Sequence, residues 1–164
     1  MKARVMFLCL GNICRSPMAE AVMRDLIAKE GLADEIEVDS AGTGDWHIGR
    51  PPHEGTRRQL DANGISYDGI SARQIRASDL DRFTHIVCMD TNNLRDARKL
   101  LQAHRTKGGE SSAELFAFME LLPDRGEADV PDPYYSGNFE YVFELVQDGC
   151  CKLLERIKAG SVEG

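Results

Sequence analysis

Several things are scarce in this chain of 164 residues, and each scarcity narrows what it does. Basic residues are outnumbered, 20 Lys and Arg against 27 Asp and Glu, for a net charge of −7. That balance argues against nucleic acid or an acidic membrane as the main partner, and leaves room for a local cationic pocket that takes an anionic substrate. No apolar run approaches a membrane span, and the stretch after Met1-Lys2-Ala3-Arg4 is too short for a signal peptide. Five cysteines, an odd number with one adjacent pair (Cys150, Cys151), lack the spacing of a disulfide scaffold. They fit a reducing cytoplasm, the compartment expected here. The four histidines keep no ligand spacing with one another or with the cysteines, so neither a metal nor a cofactor is expected. There is no repeat, low-complexity tract or linker, and residues 1–164 read as one domain.

What is present is an alternation of apolar runs and helical patterns, the mark of an α/β fold built on a parallel sheet. The expected architecture has four parallel strands flanked by helices on both faces, with a phosphate-binding loop after the first strand. Strands are expected over 4–9, 35–40, 84–89 and 113–118, and helices over 17–30, 53–63, 91–104 and 138–158. Long loops are expected over 41–52 and 119–137. The last helix carries Phe139, Val142, Phe143, Val146, Cys150, Leu153 and Ile157 at helical spacing. Ligands of open α/β sheets lie beyond the carboxyl ends of the strands, where four loops converge around Cys9.

The most informative segment is Cys9-Leu10-Gly11-Asn12-Ile13-Cys14-Arg15-Ser16. A thiol leaves the end of the run Val5-Met6-Phe7-Leu8, and a guanidinium follows six positions on. Ser16-Pro17 reads as a helix N-cap followed by proline at the first helical position. Gly11 and Asn12 tolerate the left-handed backbone of a tight anion loop. Amides converging at a helix N-terminus make a site for an oxyanion such as phosphate. Those dipoles and the nearby cation favour the charged form of a thiol, so a nucleophile sits beneath a bound phosphoryl group.

Cys9 to Pro17, Asp39-Ser40-Ala41-Gly42, Cys88-Met89-Asp90, Asn93-Leu94-Arg95-Asp96 and Asp132-Pro133-Tyr134-Tyr135 occur in this order. Together they resemble the low-molecular-weight protein tyrosine phosphatases from residue 4 to about 157. The resemblance implies a metal-independent phosphatase that acts on phosphotyrosine-containing protein substrates through a cysteinyl-phosphate. It makes Cys9 the nucleophile, Arg15 the bidentate phosphate clamp and Asp132 the general acid. Leu10, Gly11, Asn12, Ile13, Cys14 and Ser16 complete the phosphate loop, and Ser16 would hydrogen-bond the sulfur. Ser40 would bond Asn12, and Asp90 would shape the site. The histidine that family members often pair with that aspartate is replaced here by Ile70-Ser71, so no Asp–His network is expected.

Ile13, Trp46, Tyr134 and Tyr135 would wall the substrate cleft, with Leu10 beside them. Relatives resembling phosphoarginine phosphatases tend to carry threonine where Ile13 stands. Cys14 is the family's redox partner for the nucleophile, and Tyr134 and Tyr135 are phosphorylated in some relatives. Asp124 and Asp129 compete with Asp132 for the acid's role and read otherwise as solvated loop carboxylates. Other readings of the same loop are an arsenate reductase, a phosphotyrosine-binding module without turnover and a redox sensor. Cys88 is the single cysteine in the region where such reductases place two more. The physiological substrate and the oligomeric state stay open.

Overall fold

The computed structural model describes residues 3–163, and side chains through residue 160. Strands β1 (Ala3–Cys9), β2 (Ile36–Gly42), β3 (His85–Cys88) and β4 (Glu114–Ala117) form one sheet in the order β2-β1-β3-β4, all pairs parallel. The first strand is central. Val5, Met6, Phe7 and Leu8 are wholly buried, because both faces of the sheet are covered. Val5, Phe7 and Cys9 pack into a core with helices α1 (Arg15–Lys29) and α6 (Phe139–Glu163). Met6 and Leu8 point the other way, into a second core with α3 (Ala77–Arg82) and α4 (Thr91–Thr106). Helix α2 (Glu54–Ala62) adds Leu60 to the first core. Four parallel strands with helices on both faces is the architecture the sequence pattern implies.

Element boundaries differ in instructive ways. Helix α1 begins at Arg15 with Cys14 as N-cap, so Ser16 is not the cap: its hydroxyl turns to Cys9 instead. Pro17 still falls within the first turn, where its missing N–H costs nothing. The second strand runs on to Gly42, shortening the expected 41–52 loop, because Gly42 donates to Arg73 O and accepts from Ile75 N. Helix α3 lies where apolar periodicity marks no element. Only Leu80 and Asp79 of its six residues are buried, and the Asp79 carboxylate accepts from Arg76 N at 2.8 Å to start the turn.

The expected loop 119–137 is largely ordered. It holds two 3-10 turns (Phe118–Leu121 and Pro123–Arg125) and a short helix, α5 (Pro133–Ser136), capped by Asp132. The close approach of α6 to the Phe118 turn needs Gly149, where an added Cβ would stand 2.2 Å from the Phe118 ring.

Chain order puts the crossover from β1 to β2 on one side of the sheet and β3 on the other. The switch point therefore falls at the carboxyl ends of β1 and β3, between Cys9 and Asp90.

Candidate active site

The loop from Cys9 to Arg15 turns on one left-handed residue, Asn12, at φ 54°. Gly11 does not take that conformation. It is small because the His47 ring lies 3.0 Å from where its Cβ would be. Asn12 is 1% exposed, and both its amide N–H groups and its oxygen are hydrogen-bonded. Its Oδ1 accepts from Arg73 N at 2.9 Å. Its Nδ2 donates to Ser16 Oγ at 2.8 Å and to Ser40 Oγ at 2.9 Å. The backbone N–H of Asn12 donates to Cys9 Sγ at 3.2 Å, and Ser16 Oγ lies 2.9 Å from the same sulfur.

Arg15 is 3% exposed and enters the site from the first turn of α1. Its Nη1 donates to Asp90 Oδ2 at 2.7 Å and to Val130 O at 3.0 Å, and its Nη2 stands 3.5 Å from Asp132 Oδ2. Burial works against the guanidinium's charge. The negative charges of Cys9, Asp90 and Asp132, with the Asp90 hydrogen bond, outweigh it and hold the Arg15 pKa above its ordinary value. Asp90 is fixed from two sides, since its Oδ1 caps α4 by accepting from Asn93 N at 2.7 Å. The guanidinium is thus the charged partner of Asp90.

Asp132 arrives from 117 positions away in sequence. Its Oδ1 accepts from Tyr134 N at 3.1 Å, which leaves Oδ2 turned toward Arg15 at the cleft. Asp129 instead accepts from Thr91 N at 2.8 Å, a structural task beside Asp90. Asp124 sits in an outer 3-10 turn.

The cleft has a volume of about 360 Å³ and is lined by Cys9, Leu10, Gly11, Ile13, Cys14, Arg15, Trp46, His47, Asp132, Tyr134 and Tyr135. Trp46 and Tyr135 are 65% and 78% exposed, so they form the rim rather than the wall. Cys14 lies beside Cys9 and is also buried. Burial first, then the charges of Asp132 and Cys9, push its thiol up to about 12.

Two contributors have no signal in the sequence pattern. His47 lines the cleft and has its ring 6.1 Å from that of Tyr134. His53 donates its backbone N–H to Ile13 O at 2.7 Å and stacks on Phe139 at 5.0 Å, behind Tyr134. Among the described residues no cluster of His, Cys, Asp and Glu could hold a metal ion, and no helix is long and apolar enough to cross a membrane.

Comparison with known proteins shows the family to which the chain belongs. Residues 4–162 match the family model of the low molecular weight phosphotyrosine protein phosphatases. The low molecular weight protein-tyrosine-phosphatase YfkJ of Bacillus subtilis is 50% identical over 154 residues, 94% of this chain and 95% of that protein. Its crystal structure superposes with a TM-score of 0.89 over 98% and 97% of the two chains. PtpA of Staphylococcus epidermidis is 42% identical over 93% of this chain and 92% of its own length. The fold also matches an arginine phosphatase from drosophila, at 28% identity and TM-score 0.87, over 96% of this chain and 98% of that one. The chain belongs to the low molecular weight phosphotyrosine protein phosphatase family, a class of metal-independent hydrolases.

Proposed function

We propose that this protein hydrolyses phosphotyrosine monoesters of protein substrates through a cysteinyl-phosphate on Cys9, with Asp132 as general acid. The observation that supports this best is the convergence on one cleft of the Cys9 sulfur, the Arg15 guanidinium and the Asp132 carboxyl, from three separate segments of chain. With Arg15 Nη1 occupied by Asp90 and Val130, the remaining guanidinium N–H groups face two phosphate oxygens. The loop amides of residues 10–15 take the rest of the charge. The long Asp132 contact, 3.5 Å, is the one that a bound phosphate replaces.

Cys9 Sγ attacks phosphorus in line while Asp132 gives its proton to the departing phenolate oxygen. In the second step Asp132 takes a proton from water, water attacks phosphorus, and sulfur leaves toward the Ser16 hydroxyl and the Asn12 N–H. The cleft favours an aromatic ester, which reaches the sulfur where a short alkyl ester does not. Ile13 offers packing but no hydroxyl to a guanidino leaving group, which favours phosphotyrosine over the phosphoarginine reading raised by the drosophila structure. Cys14 is the residue that would trap an oxidised Cys9 as a disulfide. An odd number of cysteines without the spacing of a disulfide scaffold supports a reducing cytoplasm as the site of action.

The test is hydrolysis of phosphotyrosine, phosphoserine and phosphoarginine peptides without added metal, by wild type, Cys9→Ser and Asp132→Ala. Cleavage of phosphotyrosine alone is expected, abolished in Cys9→Ser and slowed about 10²–10⁴-fold in Asp132→Ala. A wild type that releases phosphate only from phosphoarginine, or from none of the three, overturns the proposal.

A further inference from the structure

Behind the phosphate loop lies a buried carboxyl that the proposed mechanism does not use. Glu20 sits one turn after Ser16 on the same face of α1 and is 8% exposed. Its Oε1 accepts the Ser40 hydroxyl at 2.6 Å, and Ser40 itself is 1% exposed on β2.

The direction of each hydrogen bond in this cluster can be worked out. Arg73 N–H can only donate, so Asn12 must present its oxygen there and its two N–H groups to Ser16 Oγ and Ser40 Oγ. Each serine, having accepted from Asn12, keeps one proton to give. Ser40 gives its proton to Glu20, and Ser16 gives its proton to Cys9 Sγ. An acceptor at Glu20 takes the Ser40 proton, so that a Ser40 lone pair faces Asn12 Nδ2 and joins the Arg73 N–H in fixing the amide. That arrangement holds the amide in the orientation that leaves the Ser16 hydroxyl aimed at sulfur.

We propose that Glu20 is a positioning residue: by accepting the Ser40 hydroxyl it sets the Ser40–Asn12–Ser16 hydrogen bonds so that the Cys9 sulfur always receives a proton donor. The inference rests on Cys9 being the nucleophile. Glu20 also brings a charge that changes near neutrality. Burial raises its pKa to about 7; the Ser40 hydrogen bond opposes the rise, Asp39 adds to it, and Arg24 and Arg73 oppose it. When Glu20 is protonated on its other oxygen it keeps an acceptor in place. When ionised it adds negative charge two hydrogen bonds from the phosphate loop.

Two variants separate positioning from bulk. Glu20→Met fills a similar volume without an acceptor, and Glu20→Gln keeps an acceptor oxygen. On a phosphotyrosine peptide, Glu20→Met is expected to lower kcat about tenfold, the size of one displaced hydrogen bond, with KM and the inhibition constant of inorganic phosphate within about twofold. Glu20→Gln is expected to hold kcat within about twofold at pH 6, since one hydrogen bond is kept and no charge is lost. The ratio of phosphate inhibition constants, wild type over Glu20→Gln, cancels phosphate's own titration. It should rise as the pH passes through about 7.

Wild-type kcat in Glu20→Met overturns the proposal. So does equal impairment of both variants with a ratio flat in pH, which marks a purely structural carboxyl. If Glu20→Met does not fold, Ser40→Ala, which removes the hydroxyl that Glu20 holds, takes its place in the kcat comparison, and a wild-type kcat there overturns the proposal. A wild type that turns over while these variants match it sinks this inference and leaves the phosphatase reading standing. A wild type that cleaves no phosphotyrosine removes both.

Discussion

Replacing Glu20 by glutamine should change how the stability of this protein depends on pH, by an amount the structure specifies. An ordinary glutamate titrates at 4.5, and burial beside Asp39 moves Glu20 to about 7 in the folded chain. The native state thus holds this proton more tightly than the unfolded chain does. Between pH 4.5 and 7 it binds more protons than the unfolded state, so the free energy of unfolding falls as pH rises across that window. The contribution is fully present below the lower value and lost above the upper one. A shift of roughly 2.5 units at 1.36 kcal/mol each is about 3 kcal/mol. Glutamine has the same shape, accepts the same Ser40 hydroxyl and does not titrate. Groups away from Glu20 titrate alike in the two proteins, so the difference between their stabilities reports this carboxyl and its immediate neighbours. Urea unfolding of both proteins at pH values from 5 to 8 gives that difference directly. The wild type should lose about 2–3 kcal/mol relative to Glu20→Gln as pH rises, most of it below pH 7. Parallel stability curves would refute the reasoning, because they would mean that Glu20 binds its proton no more tightly folded than unfolded.

Other consequences are simpler. Asp90→Ala leaves the 3%-exposed Arg15 guanidinium without its 2.7 Å partner and uncaps α4, and should cost about 3–5 kcal/mol in urea unfolding; a loss below 1 kcal/mol would show that Val130 O and Asp132 suffice for that charge. Gly149→Ala drives a methyl into the Phe118 ring and should cost about 1–3 kcal/mol, with a thermal melt as the check and an unchanged midpoint as the contrary result. Trp46→Ala removes a ring that is 65% exposed, so stability should stay within about 0.5 kcal/mol while KM for aryl phosphates rises; an unchanged KM would take Trp46 off the substrate's path.

The parts of this molecule that could be read from its sequence are those where one physical signal dominates over a short stretch. The run Val5 to Leu8 is apolar at every position because it is buried on both faces, and that announces a buried strand, whose central place in the sheet the fold supplies. The loop beginning at Cys9 was legible because thiol, left-handed asparagine and guanidinium fall within seven residues. Ser16 shows the limit of local reasoning. A serine before a proline is a sound N-cap by its neighbours, yet its hydroxyl faces a sulfur seven positions back and the cap falls to Cys14. A hydroxyl goes to the strongest buried acceptor within reach, and which acceptor is within reach is a tertiary fact.

Glu20, Arg73 and Val130 were silent for the same reason. A glutamate in the first turns of an amphipathic helix has the same pattern whether it faces water or Ser40, and periodicity records only apolar residues. Asp90 and Arg15, 75 positions apart, carry no mark of each other beyond their charge. The cluster that orients the sulfur's proton donor is thus assembled from α1, β2, the phosphate loop and the Arg73 backbone. Each member is an unremarkable polar residue in its own segment. What makes them a unit is that the interior leaves each donor a single acceptor, and that constraint exists only once the chain has folded.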